Sequence, residues 1–537
     1  MYIKLAVLSV VILFFSACGG GSSDSTVTPK SGDVKYSLEY NGLLFFSRDM
    51  PKSAYKLTPL SDSEFNELNT TQKFQVADKL LSSLFFGYNY KELEKKIESG
   101  EFLSSVYEGL SKETTDKEWL ESYILDSDYF VQYSNAQATE ILTRFYAAKE
   151  LDRYFFDNWI AYILTQTIMF SPAYELESSH YPNVARTYNR IVKLLEDETT
   201  FANLTYIHMM SEDNWRRFRS PEDNGREMLE IFTSDINDSK VPLAGKALQN
   251  WKLDRDNDTL VVGLNENRDA LALFGTTIYN GDDFYRELAK SDAFKHTVVK
   301  RLVEFFFTDL SAVSVESITD TILQSKPQTW QDILKQILFS KEYLLYNQRA
   351  KSAEELFFSL TKKMDFKHRD SLIHYFRYAL DAMHQATMKY KLGKLERVPL
   401  DTLSFINTHK YFREQILLRY LYEKYKDDYK AWASQGWRES FMANENFEYD
   451  YSDEERSFDS LVHYIFTFML ARDASKEELE MFKNHMFVYD DGVRVLKSEF
   501  NMFTERNTRE SNKRHIVLML LDYISRVDEL YLYKEVK

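Results

Sequence analysis

From Thr71 onward, almost every segment of this chain repeats apolar residues at three- and four-residue intervals, the period of a helix with one buried face. The pattern runs through VADKLLSSLFF, ELEKKIESG, ATEILTRFYAAKELDRYFFDNWIAYILTQ and VARTYNRIVKLLEDE. It returns in AFKHTVVKRLVEFFF, WQDILKQILFSKEYLLY, AEELFFSLTKKM and YFREQILLRYLYEKY. Interruptions are few. Residues 35–46 (KYSLEYNGLLFF) predict one or two short strands near the N-terminus, and TLVV at 259–262 is a β-like scrap inside a loop. SDYF from Ser127, SDAF from Ser291 and HKYF from His409 each precede an aromatic-rich helix. Such echoes suit stacked helical hairpins, each burying its face on the next. The predicted class is all-α, an irregular array of packed helical hairpins, because the period is too uneven for a true solenoid.

One helix start is unusually explicit. In SPEDNGREMLEIF, residues 220–232, Ser220 fits an N-cap and Pro221 the first helical position. Asp223 stands where a capping box wants an acid. Met228, Leu229, Ile231 and Phe232 form the apolar stripe, while Glu222, Arg226 and Glu230 are each four apart and share another face. Gly225 is the misfit, since glycine costs roughly 1 kcal/mol against alanine inside a helix. A close approach by another backbone or by a ligand would account for it.

The N-terminus carries an address. Lys4 precedes an apolar run from Leu5 to Phe15, shorter than the roughly 20 residues of a membrane span. Residues 1–17 therefore read as a signal peptide. Its end, Phe15-Ser16-Ala17-Cys18, resembles a bacterial lipoprotein box, and Cys18 is the single cysteine of 537 residues. Cys18 is the expected lipidation site and the expected link to a membrane. Residues 18–34 read as a flexible tether, since GGGSSDSTVTPKSGD is small and polar. No aspartate follows Cys18, which by resemblance to sorting rules in enteric bacteria favours the outer membrane. The rest divides into a helical domain at 35–430, an acidic linker at 431–457 and a C-terminal helical unit at 458–537. No internal disulfide is open to the mature chain, so its stability must come from packing.

Composition narrows the function classes. The chain has 39 Phe, 36 Tyr and 7 Trp but only 16 Gly and 9 Pro, which suits long helices and argues against an all-β fold with its many turns. The rings read as filling of helix–helix interfaces rather than as platforms for carbohydrate. A net charge of −16 with no basic stripe excludes nucleic acid as a partner. Asp254, Asp256 and Asp258 alternate as the first ligands of a calcium loop would. The sixth and twelfth places of that loop hold Thr259 and Asn265 instead of glycine and glutamate, so the stretch reads as a solvated acidic loop. No cofactor or metal is expected. The ten histidines show no i, i+4 ligand pair, and there is no G-x-S-x-G elbow or P-loop.

With these residues in hand, the chain from about Ala77 to about Tyr425 resembles the bacterial "domain of unknown function 1800" family. KLLSSLFFGYNYKELEKKIESG is similar to the family's opening. SPEDNGREMLEIF resembles its hallmark Pro-Asn-Glu-Asn-x-Ala-Arg-Glu-Leu-x-Glu-Leu-Phe-Thr, with Glu222, Arg226, Glu227, Glu230, Phe232 and Thr233 in agreement. KALQNW resembles Ala-x-x-Gly-Trp, keeping Trp251 and placing Asn250 at the glycine. SDAFKHTVVKRLVEFFF and RAKSAEELFFSL match two later segments. The departures are equally clear. Phe155-Phe156-Asp157-Asn158-Trp159-Ile160 replaces a Phe-Trp-His-Asn-His-Phe segment, so both histidines are gone. DRDNDTLVVG replaces a His-Asp-x-Gly-x-Lys loop, and RVPLDTLSF around Pro399 replaces a Pro-Pro-Asn-Val-x-Gly-Trp segment. The family supplies no established activity. Its resemblance implies a possible partner among exported sulfatase-like proteins of a second family, domain of unknown function 1501.

Two functions lead, with a calcium-dependent binder through Asp254, Asp256 and Asp258 as a third option. The first is a lipid-anchored cell-envelope protein that binds a partner or acts as a scaffold without catalysis. The alternative is a hydrolase or modifying enzyme acting on envelope glycans, with Glu222, Arg226 and Glu227 as its acid–base centre and Trp251 as a binding residue. The two differ in one respect that a fold decides, namely whether these acids converge around open space or lock two helices together.

Overall fold

The computed structural model describes residues 38–40, 43–45, 50, 55–88, 90–114, 134–166, 183–234, 239–257, 259–363, 369–383, 385, 390–391, 394–395, 405–414, 454–497, 516 and 519–536. Cys18 with the leader and tether, the SDYF echo at Ser127, Asp258, Pro399 and residues 431–453 of the expected linker lie outside them. The described chain is mostly helical, and its only sheets there have two short strands each.

The helices begin where the sequence supplies caps. Ser61, Asn69, Thr329 and Ser475 each close a capping box, accepting from a backbone N–H three residues on while that residue's side chain accepts in return. Ser291 caps the 292–306 helix at the SDAF echo. The strands expected near the N-terminus pair as an antiparallel hairpin, Leu38–Tyr40 with Leu43–Phe45. The 259–262 scrap pairs with Trp251–Asp254, so it is half of a hairpin rather than loop. Three further hairpins break the helical reading, the shortest pairing Tyr390–Lys391 with Lys394–Leu395. Leu271–Leu273 returns as Thr276–Ile278 through Phe274 and Gly275, at φ 55° and 75°. Phe487–Asp490 returns as Val493–Leu496 through Asp491 and Gly492, at φ 47° and 81°. Consecutive left-handed residues give the turn that matches strand twist, for which Asp-Gly is a favoured pair.

The aromatic residues fill helix interfaces. Phe85 meets Phe145, Trp159 and Tyr162 edge-on at centroid distances of 5.5, 6.4 and 5.5 Å. Trp159 is wholly buried and its Nε1 donates to the Ser83 carbonyl at 2.9 Å.

Beside this aromatic core lies a buried ionic cluster. Asp78, on the 70–83 helix, accepts from Lys363 Nζ at 2.7 Å, Lys351 Nζ at 3.1 Å and Tyr88 Oη at 3.1 Å. Burial alone would raise the Asp78 carboxyl, but Lys351 and Lys363 outweigh it and hold the group well below the usual carboxylate range. Arg349 forks onto Glu355 and donates to Tyr343 Oη at 2.8 Å. Lys79 Nζ is surrounded by the carbonyls of Leu344, Asn347 and Lys534, each at 3.0 Å. The strand Arg349–Ala350 pairs with Leu532–Tyr533, and the Tyr533 ring lies 4.8 Å from the Arg349 guanidinium. One cluster thus joins the 70–83 helix, the 349–363 segment and the C-terminal strand.

Removing one partner of a buried ion pair strands the other in a medium that cannot solvate it, at a cost of about 3–5 kcal/mol. Asp78→Ala is therefore expected to lower the urea unfolding free energy by roughly that amount. A change under about 1 kcal/mol would show that Lys351 and Lys363 reach water.

Candidate functional site

The 221–233 helix forms as its residues dictate. Ser220 Oγ accepts from the Asp223 N–H at 3.1 Å. The reciprocal arm differs from the capping-box expectation: Asp223 Oδ2 accepts from the N–H of Arg219, one residue further out, at 3.1 Å. Gly225 is explained by a backbone. A Cβ there would lie 2.8 Å from Ala244 Cβ and 3.2 Å from Gly245 N, and a Cβ on Gly245 would lie 3.1 Å from Glu222 Cα. Two glycines let this helix cross the 241–247 helix at close range.

The acids of the hallmark do not gather. Glu222 and Arg226 are exposed and Glu227 is half-buried along the outer flank of that crossing. Burial raises the Glu227 carboxyl, with Glu230 and Asp223 adding to the effect and Arg217 and Arg226 opposing it. Trp251 is buried, stacked on Trp215 at 6.3 Å and edge-on to Tyr285 at 5.8 Å. It also fills the space over Gly281, where a Cβ would lie 2.6 Å from the indole. Asn250 has φ 66°, a conformation asparagine tolerates better than most residues. Asp254 organises its hairpin turn, accepting from the N–H groups of Asp256 and Asn257 at 3.1 and 3.3 Å and from Asn257 Nδ2 at 2.9 Å. These bonds, the Asn257 side chain first, lower its carboxyl. Asp256 is exposed. Among the described residues no three His, Cys, Asp or Glu side chains are placed to hold a metal ion.

Open space lies elsewhere. A cleft of about 570 Å³ runs between the Phe102–Gly109 and Trp330–Leu338 helices, lined by Leu60, Asp62, Tyr107, Glu108, Lys335 and Phe339 among others. That volume falls within the usual range of small-molecule sites. A second cleft of about 950 Å³ is lined by Thr233, Lys240, Phe274 and Lys290. Neither is lined by Glu222, Arg226, Glu227 or Trp251.

Two titratable groups that sequence reasoning missed lie on or against the Trp330–Leu338 helix: Lys335, which lines the first cleft, and Asp157. Asp157 lies on the 153–166 helix, where every residue from Phe155 to Gln166 is buried. Its Oδ1 accepts from Gln331 Nε2 at 2.7 Å, while Oδ2 has no hydrogen-bond donor among the described residues and lies 3.7 Å from Arg153 Nε. Burial pushes this carboxyl up to about 7. Gln331 and Arg153 hold it lower than burial alone would, and Glu196 adds to the rise. Lys335 sits one turn on from Gln331. Its Nζ lies 4.5 Å from the Tyr107 ring centroid and 5.6 Å from that of Phe156. It donates to Ser111 Oγ and, at 3.4 Å, to the Tyr107 carbonyl. Burial lowers its ammonium to about 8, against the pull of Asp157 and Asp332. One signal in the sequence marked the place: a lone acid inside the largely apolar run FFDNWIAYIL.

Comparison of the chain with protein-family models, curated proteins and solved structures returns no match.

Two outcomes are expected from this geometry. Gly225→Ala gains up to about 1 kcal/mol in helix propensity but overpacks the crossing by about 1–3 kcal/mol, so urea denaturation is expected to show net destabilisation. An unchanged midpoint would mean the two helices separate freely. Asp157 supplies the second. Its folded value of about 7 exceeds the ordinary 3.8, so between these values the native state binds a proton the unfolded chain has released. Stability from this group is thus present at low pH and lost as pH rises towards 7. Asp157→Asn is expected to lack that slope, and calorimetric Tm curves of the two proteins should diverge in the variant's favour between pH 5 and 7.5. Parallel curves would refute the shifted titration.

Proposed function

We propose that this protein is a lipid-anchored component of the bacterial cell envelope, held by Cys18, that binds a partner without turning it over. The observation that carries the reading is the placement of the hallmark acids. Glu222 and Arg226 are exposed on the flank of a helix–helix crossing filled by Gly225, Ala244 and Gly245, and Glu227 is only half-buried there. Acid–base work needs carboxyls that converge on a substrate and are tuned by burial. A locked joint supports a scaffold. The resemblance to the domain of unknown function 1800 family, and the solitary cysteine within a lipoprotein box, support the envelope address and an exported sulfatase-like partner. The glycan-modifying alternative would need Glu222, Arg226 and Glu227 around a cleft, and the described clefts are lined by other residues.

Chemical crosslinking in intact cells, followed by affinity capture from solubilised envelopes and mass spectrometry, tests the proposal. A single stoichiometric protein partner is expected, retained by Arg226→Ala and Glu227→Ala. Glycan captured with the wild type and lost in either variant would overturn it.

A further inference from the structure

Lys335, which is half-buried, differs in its surroundings from the buried lysines described. Lys351 and Lys363 are paired with Asp78, Lys483 with Glu455 and Asp459, and Lys79 is caged by carbonyls. Among the described residues Lys335 makes no ion pair; Asp62 and Glu108 line the same cleft, and the two carboxylates whose charge acts on it, Asp157 and Asp332, are committed elsewhere. Asp332 accepts from the backbone N–H groups of Thr329 and Gln328 at 2.9 and 3.0 Å, closing the cap of its own helix. Asp157 is bonded to Gln331 and faces Arg153. The Lys335 amine instead lies against the Tyr107 and Phe156 rings, and it lines the cleft of about 570 Å³. Its hydrogen bonds to Ser111 Oγ and the Tyr107 carbonyl need only an N–H donor, which a neutral amine retains.

We propose that Lys335 is a carbonyl-capture site: its amine condenses with the aldehyde of a small, uncharged ligand seated in the cleft and holds it as an imine. This goes beyond the protein-partner binding proposed above and does not depend on it. The ammonium first loses a proton to solvent. The Nζ lone pair then attacks the carbonyl carbon, the carbonyl π pair moves to oxygen, and proton transfer gives a carbinolamine. Loss of one water leaves the C=N bond. Nothing is oxidised or reduced, and hydrolysis returns the aldehyde. The protonated imine is a cation and keeps its contact with the Tyr107 face. Availability of the neutral amine supports the step. With the ammonium lowered to about 8, roughly a fifth is neutral at pH 7.4, against roughly one in a thousand for an ordinary lysine. Lys326 lines the same cleft but is exposed, so it serves as the internal control.

The test uses glyceraldehyde as the probe on the intact protein, with borohydride reduction and peptide mass mapping at a series of pH values. Lys335 is expected to label roughly tenfold faster than Lys326 at pH 7.4, with half-maximal rate near pH 8. Tyr107→Ala hydrates the amine and is expected to slow Lys335 labelling several-fold at that pH. Lys335→Arg, checked for an unchanged Tm, is expected to leave the peptide unlabelled and the Lys326 rate unaltered. Labelling of Lys335 no faster than Lys326, or a Lys335 profile still rising above pH 10, would overturn the inference. Run beside the crosslinking capture, the two readings separate. Selective labelling without a captured partner leaves the carbonyl site standing and sinks the partner; capture without selective labelling does the reverse.

Discussion

Asp78 is the constraint on which the described fold turns. A carboxylate at such depth is tolerable only with compensating charge and donors, and it draws Lys351 and Lys363 from one distant segment and Tyr88 from just beyond its own helix. Their geometry then decides where the 349–363 segment lies. That segment in turn fixes Arg349 on Glu355 and Tyr343, and presents the strand edge that Leu532–Tyr533 completes. Apolar helices pack in many nearly equivalent ways. A buried cluster of opposite charges accepts far fewer, because each misplacement leaves an ion without a partner.

The parts of the fold legible in the chain are those governed by local physics. Helical periodicity placed the 70–83, 153–166, 184–196 and 292–306 helices, and side-chain caps marked their starts. Gly225 announced a close approach without saying to what; Ala244 and Gly245 answer that, and they lie in a segment whose proximity nothing local encodes. The hairpins were less visible. The Asp-Gly pair at 491–492 is a turn signal flanked by FVY and VRV, but the helical pattern before it dominated the reading. At 271–278 the turn uses Phe274, a residue that seldom adopts positive φ, so composition gave no warning.

The candidate site was less legible than the fold for a related reason. Glu222, Arg226 and Glu227 stood out because a motif contains them, whereas their exposure depends on a crossing made by another helix. Trp251 stood out for the same reason and proves to be interior packing between Trp215, Tyr285 and Gly281. Asp157 and Lys335 carry no motif. They are 178 residues apart (335 − 157), and what distinguishes them is the loss of water around both, a property of the assembled helices alone.

The ammonium of Lys79 reaches the carbonyl of Lys534 across 455 positions of chain. Contacts of such span form late, because closing the intervening loop costs entropy before any of them is made. Until residues near 534 are in place, Lys79 therefore lacks one of its carbonyl acceptors. Until then the 349–350 edge offers an open strand to any chaperone, or any neighbouring copy, that arrives first.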